Sequence, residues 1–194
     1  MLSHKESLNI LRKTNALLEG HFVLSSGLHS PKYVQCAKLL SFPNKANKIC
    51  KSLSSKIKKN FKNVNLILSP AVGGIIIGYE IGKLLNLETI FCERVNQRFK
   101  LRRGFSIKKN ARVVIVEDVV TTGKSINECS EIVKKYSANL LGYACIIDRS
   151  DNKLSTKNKI ISQIKFKIDT YKEKDLPDSL KKIPAEKPGS RNLT

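Results

Sequence analysis

The chain has 194 residues, 41% of them hydrophobic, which is one domain's worth of length with apolar content for a single core and excludes wholesale disorder. Lys and Arg number 36 against 16 Asp and Glu, so the formal charge is +20, which admits anionic small molecules, nucleic acid or an acidic membrane surface without choosing among them. No apolar run reaches the roughly 18–20 residues of a membrane span, the amino terminus lacks a signal-peptide plan, and Cys36, Cys50, Cys92, Cys129 and Cys145 show neither a disulfide framework nor zinc spacing; a reduced, soluble, cytoplasmic protein is expected.

In chain order, Ser3-x-x-Glu6 is a capping box ahead of a helix carrying Leu8, Leu11 and Leu18, predicted to end near Gly20. From Gly20 to Leu40 the pattern is turn-rich and strand-like. Pro43 precedes a helix with Ala46, Ile49, Cys50, Leu53, Ile57 and Phe61 at offsets of three and four. The lysines between them have no Arg or aromatic company, so they read as a solvated face rather than a nucleic-acid surface. A repeated alternation follows: a strand over 64–68, Gly73-Gly74 and a helix to Leu85, a strand over 88–92, a polar basic segment over 93–110, a strand over 113–116, Thr121-Thr122-Gly123 and a helix through Ile126, Cys129, Val133 and Tyr136, then a strand over 140–147. Continuous apolar strands alternating with helices predict a parallel sheet covered on both faces, an α/β fold. Beyond Arg149 only 161–168 looks regular, and the tail carrying Pro177, Pro184, Pro188 and Gly189 reads as coil.

The chemistry concentrates in Val113-Val114-Ile115-Val116-Glu117-Asp118-Val119-Val120-Thr121-Thr122-Gly123-Lys124-Ser125. A buried parallel strand ends in two adjacent carboxylates, and a loop of small hydroxyl residues with one glycine leads into a helix. Ligands of such sheets sit beyond the carboxyl ends of the strands. Backbone N–H groups at the helix start, with Thr and Ser hydroxyls, suit a phosphate. Two acids at the strand tip can hold ribose hydroxyls, or the waters of a Mg²⁺ that prefers carboxylates and substrate phosphates. The ligand this pattern asks for is a phosphorylated sugar.

That stretch resembles the phosphoribosyl-pyrophosphate motif of the type I phosphoribosyltransferases, and the chain resembles the compact bacterial orotate phosphoribosyltransferases over nearly its full length. Gly20 to Ser30 looks like that family's amino-terminal hood, with Tyr33 near an aromatic that helps hold orotate. Asp148-Arg149 matches the position whose Arg meets orotate, and Phe91 to Phe105 resembles the mobile basic loop that closes over pyrophosphate. The resemblance implies one domain over 1–194, with 1–42 and about 150–194 contributing the hood and 94–110 forming the lid. It implies transfer of the phosphoribosyl group of phosphoribosyl pyrophosphate to orotate, giving orotidine 5′-monophosphate and pyrophosphate in pyrimidine synthesis. It also implies Mg²⁺ carried by the substrate near Glu117 and Asp118 with no direct protein cage, and a homodimer whose lid reaches the neighbouring site. No membrane and no specific nucleic acid are implied.

By the same resemblance Glu117, Asp118, Arg94, Lys100, Arg102 and Arg103 are the catalytic candidates. Val119, Val120, Thr121, Thr122, Gly123, Lys124, Ser125, Arg149 and Tyr33 join the two acids as substrate-binding candidates. The basic cluster also makes sense unaided, because Arg pairs bidentately with phosphate oxygens and a lid excludes water. Three departures stand out. Many relatives carry Lys where this chain has Ser25 and Gly73, leaving Lys32, Lys38 or the loop arginines to supply those charges. The loop lacks the Lys-x-x-x-Lys-x-His order of longer enzymes. Leu176-Pro177-Asp178-Ser179 replaces a Cys-Pro-x-Cys of some compact relatives. His4, His21 and His29 are given no catalytic part. Two other readings share the phosphate motif: a transferase for a purine base or uracil, and a nucleic-acid-binding regulator on the same fold.

Overall fold

The computed structural model describes residues 1–24, 26–150 and 156–188. Helix α1 (His4–Lys13) starts on the anticipated capping box: the Glu6 N–H donates to the Ser3 hydroxyl at 3.2 Å, and the Ser3 N–H donates to the Glu6 carboxylate at 2.7 Å. It ends well before Gly20. The Thr14 hydroxyl turns back onto the Ile10 and Leu11 carbonyls, and Asn15 takes a φ of 53°, which stops a helix. Leu18 therefore belongs to β1 (Leu17–Val23), which pairs antiparallel with β2 (His29–Val34).

The segment after residue 166 packs onto this hairpin. Tyr171 exchanges backbone hydrogen bonds with His29 at 2.8 and 2.9 Å, and Glu186 exchanges them with Val23 and His21 at 2.7 and 2.8 Å. The buried His21 and His29 rings meet nitrogen to nitrogen at 2.6 Å, and His21 Nδ1 lies 2.9 Å from the Ile183 carbonyl. The two rings thus link hairpin to tail.

Short helix α2 (Cys36–Leu40) leads into α3 (Pro43–Asn60), with proline in its first turn where no N–H is needed. The sheet then builds through β3 (Leu66–Pro70), α4 (Gly73–Leu85), β4 (Glu88–Val95), β5 (Arg98–Leu101), β6 (Arg112–Val120), α5 (Lys124–Lys135), β7 (Asn139–Asp148) and β8 (Ile160–Lys165). Its order is β5-β4-β3-β6-β7-β8, parallel throughout except for the β4–β5 edge. Alternate strand residues face opposite layers. Val114, Val116, Ala144 and Ile146 pack with Leu11, Ile49, Leu53 and Ile77 on one side, whereas Leu68, Ile115 and Tyr143 pack with Ile126, Cys129 and Val133 on the other. All five cysteines are buried free thiols, and the Cys92 and Cys129 sulfurs lie 3.3 Å apart across the second layer.

The basic segment departs most from the sequence reading. Strand β4 runs three residues past Cys92, and Asn96 and Gln97 both take positive φ, 49° and 63°, in the two-residue turn that a right-twisted hairpin favours. Arg94 opposes Phe99 and Val95 opposes Arg98, so 94–101 pairs as a hairpin. Two short helical turns, Glu173–Asp175 and α6 (Asp178–Lys181), break the tail.

Crossovers leave β3 toward β4 and β6 toward β7, in opposite directions. The chain thus reverses its winding between β3 and β6, and the crevice beyond their carboxyl ends is where an open α/β sheet receives ligands.

Candidate active site

Glu117 and Asp118 lie near the end of β6, at that crevice. Pleating sends consecutive side chains to opposite faces. Glu117 is only 7% exposed, and its carboxylate accepts the Asp118 N–H at 3.2 Å. Asp118 accepts the Val119 N–H at 2.8 Å and lies against the first residue of α4. A Cβ added at Gly73 would stand 2.8 Å from an Asp118 oxygen, so the acid occupies the space a side chain at 73 would need. A side chain at 73 would therefore require the Asp118 carboxylate to move. Ser25, the other departure, lies outside the described residues.

Burial, and next the charge of Asp118, push the Glu117 carboxyl up to about 9 from its ordinary 4.5. The folded chain then keeps a proton that the unfolded chain has lost across that window. This contribution to stability is fully present below 4.5 and disappears as pH rises through about 9. Glu117→Gln, neutral at every pH, should flatten this part of the profile. Thermal midpoints of unliganded variant and parent should diverge in the variant's favour between about pH 5 and 9; parallel profiles would refute the buried proton.

Val120 ends β6, and Thr121, Thr122 and Gly123 form the turn before α5. Gly123 has a φ of 77°, a left-handed conformation that suits glycine, and the Lys124 N–H points to the Thr122 hydroxyl at 3.4 Å. Glu117, Val119, Val120, Thr121, Thr122, Gly123, Lys124 and Ser125 line a hollow of about 50 Å³, a cradle that brings the hydroxyl turn together with one of the two acids. Arg149 follows the end of β7, half-buried, its N–H donating to the Val120 carbonyl at 2.8 Å. One short hydrogen bond thus separates it from the start of the hydroxyl turn. Tyr33 lies on β2, its ring 5.9 Å from that of Phe22.

The basic candidates are engaged elsewhere. Arg94 donates to both Glu128 oxygens, at 2.9 and 3.4 Å, and to the Gln97 carbonyl at 2.7 Å, while its guanidinium covers the Phe99 ring at 4.1 Å. Arg103 makes a two-pronged pair with Glu93, at 3.1 and 2.9 Å, and that guanidinium holds the Glu93 carboxyl below the usual range. Lys100 and Arg102 are exposed. The structure therefore brings Glu117, Asp118, the hydroxyl turn and Arg149 to one end of the sheet, but ties Arg94 and Arg103 to carboxylates of α5 and β4. A larger hollow of about 780 Å³ lies between the β4–β5 hairpin and α5 and shares only Lys124 with the cradle.

Among the described residues no group of three or more His, Cys, Asp and Glu stands close enough for a metal cage. The donor set present, two neighbouring carboxylates beside an anion cradle, fits a Mg²⁺ that takes its remaining oxygen ligands from water and substrate phosphates. One feature escaped the sequence reading: Val72, Ile76 and Tyr79, at offsets of four and three, are 82%, 56% and 66% exposed at the start of α4. The spacing was available, but it overlaps the buried stripe of Ile77 and Ile81 and is hidden by it.

Comparison with known proteins points one way. The family described as phosphoribosyl transferase domain matches residues 41–175. An orotate phosphoribosyltransferase from Parvibaculum lavamentivorans is 44% identical over 99% of this chain and 100% of its own length. One from Thermotoga maritima is 45% identical over 95% of this chain and 97% of its own. Among solved structures, orotate phosphoribosyltransferase from Aeropyrum pernix aligns with a TM-score of 0.67 at 23% identity, covering 82% of this chain and 93% of that one. Adenine phosphoribosyltransferase from Thermoanaerobacter pseudethanolicus aligns with a TM-score of 0.61 at 18% identity, over 70% and 88%. At those identities the structural likeness concerns the fold alone.

Proposed function

We infer phosphoribosyl transfer to orotate, since this chain belongs to the orotate phosphoribosyltransferases of the phosphoribosyl transferase family. Phosphoribosyl pyrophosphate and orotate give orotidine 5′-monophosphate and pyrophosphate, a step of pyrimidine synthesis. The observation that carries this reading within the site is the convergence of paired acids, a hydroxyl-lined anion cradle and Arg149 at one end of the sheet.

The bond from the ribose anomeric carbon to pyrophosphate breaks and a bond to the orotate ring nitrogen forms, with an oxocarbenium-like ribose between. The barrier is governed by charge on the departing phosphates and on the ring, so preorganised electrostatics matter more than a nucleophilic side chain. Thr121 to Ser125 hold the 5′-phosphate. Glu117, as a neutral carboxyl, and Asp118 hold the ribose hydroxyls, and the Asp118 carboxylate faces the positive ring. Arg149 pairs with the orotate carboxylate, a group that neutral purines and uracil lack. Orotate attacks as its ring-nitrogen anion, the N–H proton having passed to solvent water, which removes the need for a strong general base. Glu117 and Asp118 would hold, through water, a substrate-borne Mg²⁺, which when bound would help to neutralise the leaving group. Arg94 and Arg103 reach pyrophosphate by exchanging Glu128 and Glu93 for phosphate oxygens, with Lys100 and Arg102 available beside them.

The working unit in this reading is a cytoplasmic homodimer, supported by the exposed apolar stripe of Val72, Ile76 and Tyr79, which a second copy covers. The double substitution Ile76→Asp with Tyr79→Asp should yield monomers in sedimentation and cut turnover at least about tenfold, as the lid loses its neighbour. A parent chain that sediments as a monomer at working concentration would refute the dimer.

The decisive assay follows the fall of orotate ultraviolet absorbance with phosphoribosyl pyrophosphate and Mg²⁺, with and without chelator, and with purine bases and uracil in parallel. Metal-dependent consumption of orotate alone is expected. Product from another base instead would overturn the substrate, and no product from any base would favour the regulator reading.

A further inference from the structure

We propose that Asp148 is the positioning residue for base recognition: it fixes the turn that presents Arg149, without touching either substrate. This role rests on the reading of Arg149 as the partner of the orotate carboxylate.

Asp148 ends β7 at 4% exposure, and a carboxylate so placed is tolerated only with partners. It has them on both oxygens. Oδ1 accepts the Ser150 N–H at 2.9 Å, the Asp-to-residue-two-on hydrogen bond that defines an Asx turn, and Oδ2 lies 3.7 Å from Lys165 Nζ on β8. The backbone is held equally firmly, with the Asp148 carbonyl accepting the Phe166 N–H at 3.2 Å and the Arg149 N–H donating to Val120 at 2.8 Å. Asp148 and Ser150 are buried, at 4% and 6%, and Arg149 between them is half-buried. Of these contacts, the bond to the Ser150 N–H is the one that curls the chain just after Arg149. A long, four-torsion side chain gains recognition power from a fixed base, because small misplacements of an orienting group cost large factors in rate.

The effect falls on one substrate. The 5′-phosphate cradle is built from the end of β6 and the start of α5, and it meets this turn at Val120, whose carbonyl accepts the Arg149 N–H and not the Asp148 side chain. Asp148→Ala should raise the KM for orotate about tenfold or more, with the KM for phosphoribosyl pyrophosphate within about twofold of the parent. Asp148→Asn should recover most of the orotate KM, because its amide oxygen still accepts the Ser150 N–H although the attraction to Lys165 is lost. Steady-state kinetics on the full chain, with circular dichroism to verify folding, reads all three. An unchanged orotate KM in folded Asp148→Ala overturns the role. So does an equal rise for both substrates, or an Asn variant as impaired as Ala. If Asp148→Ala fails to fold, Asp148→Ser, a weaker turn former, should fall above Asn in orotate KM, and equality of the two overturns the proposal. A parent chain that does not consume orotate would overturn the reaction itself, an outcome distinct from these.

Discussion

Changing Glu117 and Asp118 together to alanine should lower turnover by about 10³-fold or more and leave the protein folded. Asp118 sets a carboxylate against the cationic ribose and Glu117, protonated below about pH 9, hydrogen-bonds the ribose hydroxyls, so losing both removes preorganised stabilisation of the transition state. Their removal does not unravel the fold. Glu117 is a buried carboxyl raised to about 9, so folding already works against its ionised form, and Asp118 lies beside Gly73 with its carboxylate accepting the Val119 N–H. Initial rates beside thermal melts check the pair. A folded double variant with parental turnover would remove both acids from the mechanism.

Arg149→Ala is the second large expectation. Truncating one member of a hydrogen-bonded charge pair costs about 2–5 kcal/mol, so kcat/KM for orotate should fall by about 30-fold to several thousandfold. The KM for phosphoribosyl pyrophosphate should barely move. Arg149→Lys should recover only part of the loss, since a point charge replaces a planar fork. Equal losses for both substrates would mean that the arginine supports the site as a whole.

The sheet was legible because its strands are buried on both faces. Runs such as Val113 to Val116 and Leu140 to Ile147 admit few readings once helices with clear stripes lie between them. The antiparallel edge was not legible. Arg98 to Leu101 is short and charged, its turn is Asn-Gln rather than Asn-Gly, and only pairing with β4 makes it a strand. The first helix was read too long because Leu18 falls near a helical offset from Leu11, whereas Asn15 stops the helix through its backbone.

Within the site, the run from Glu117 to Ser125 carries its arrangement in its order, since strand, turn and helix start are local. What depends on distant segments stayed hidden. The meeting of Asp118 with Gly73, the grip of Glu128 on Arg94 and the turn closed by Asp148 each join residues by packing that no spacing encodes. The basic cluster was visible as charge, yet its internal pairing with Glu93 and Glu128 was not, and that pairing decides where the arginines rest.

The seam between the β1–β2 hairpin and the tail sets an order of events during translation. His21, Val23 and His29 find their backbone partners in Tyr171 and Glu186, which are synthesised after the entire sheet. The hairpin emerges among the first segments of the nascent chain, yet its outer hydrogen-bonding groups wait unpaired until residue 186 has been made. A chain stalled before Tyr171 would hold a finished sheet beside a hairpin with open edges, the kind of intermediate that chaperones recognise and that aggregates when they are scarce.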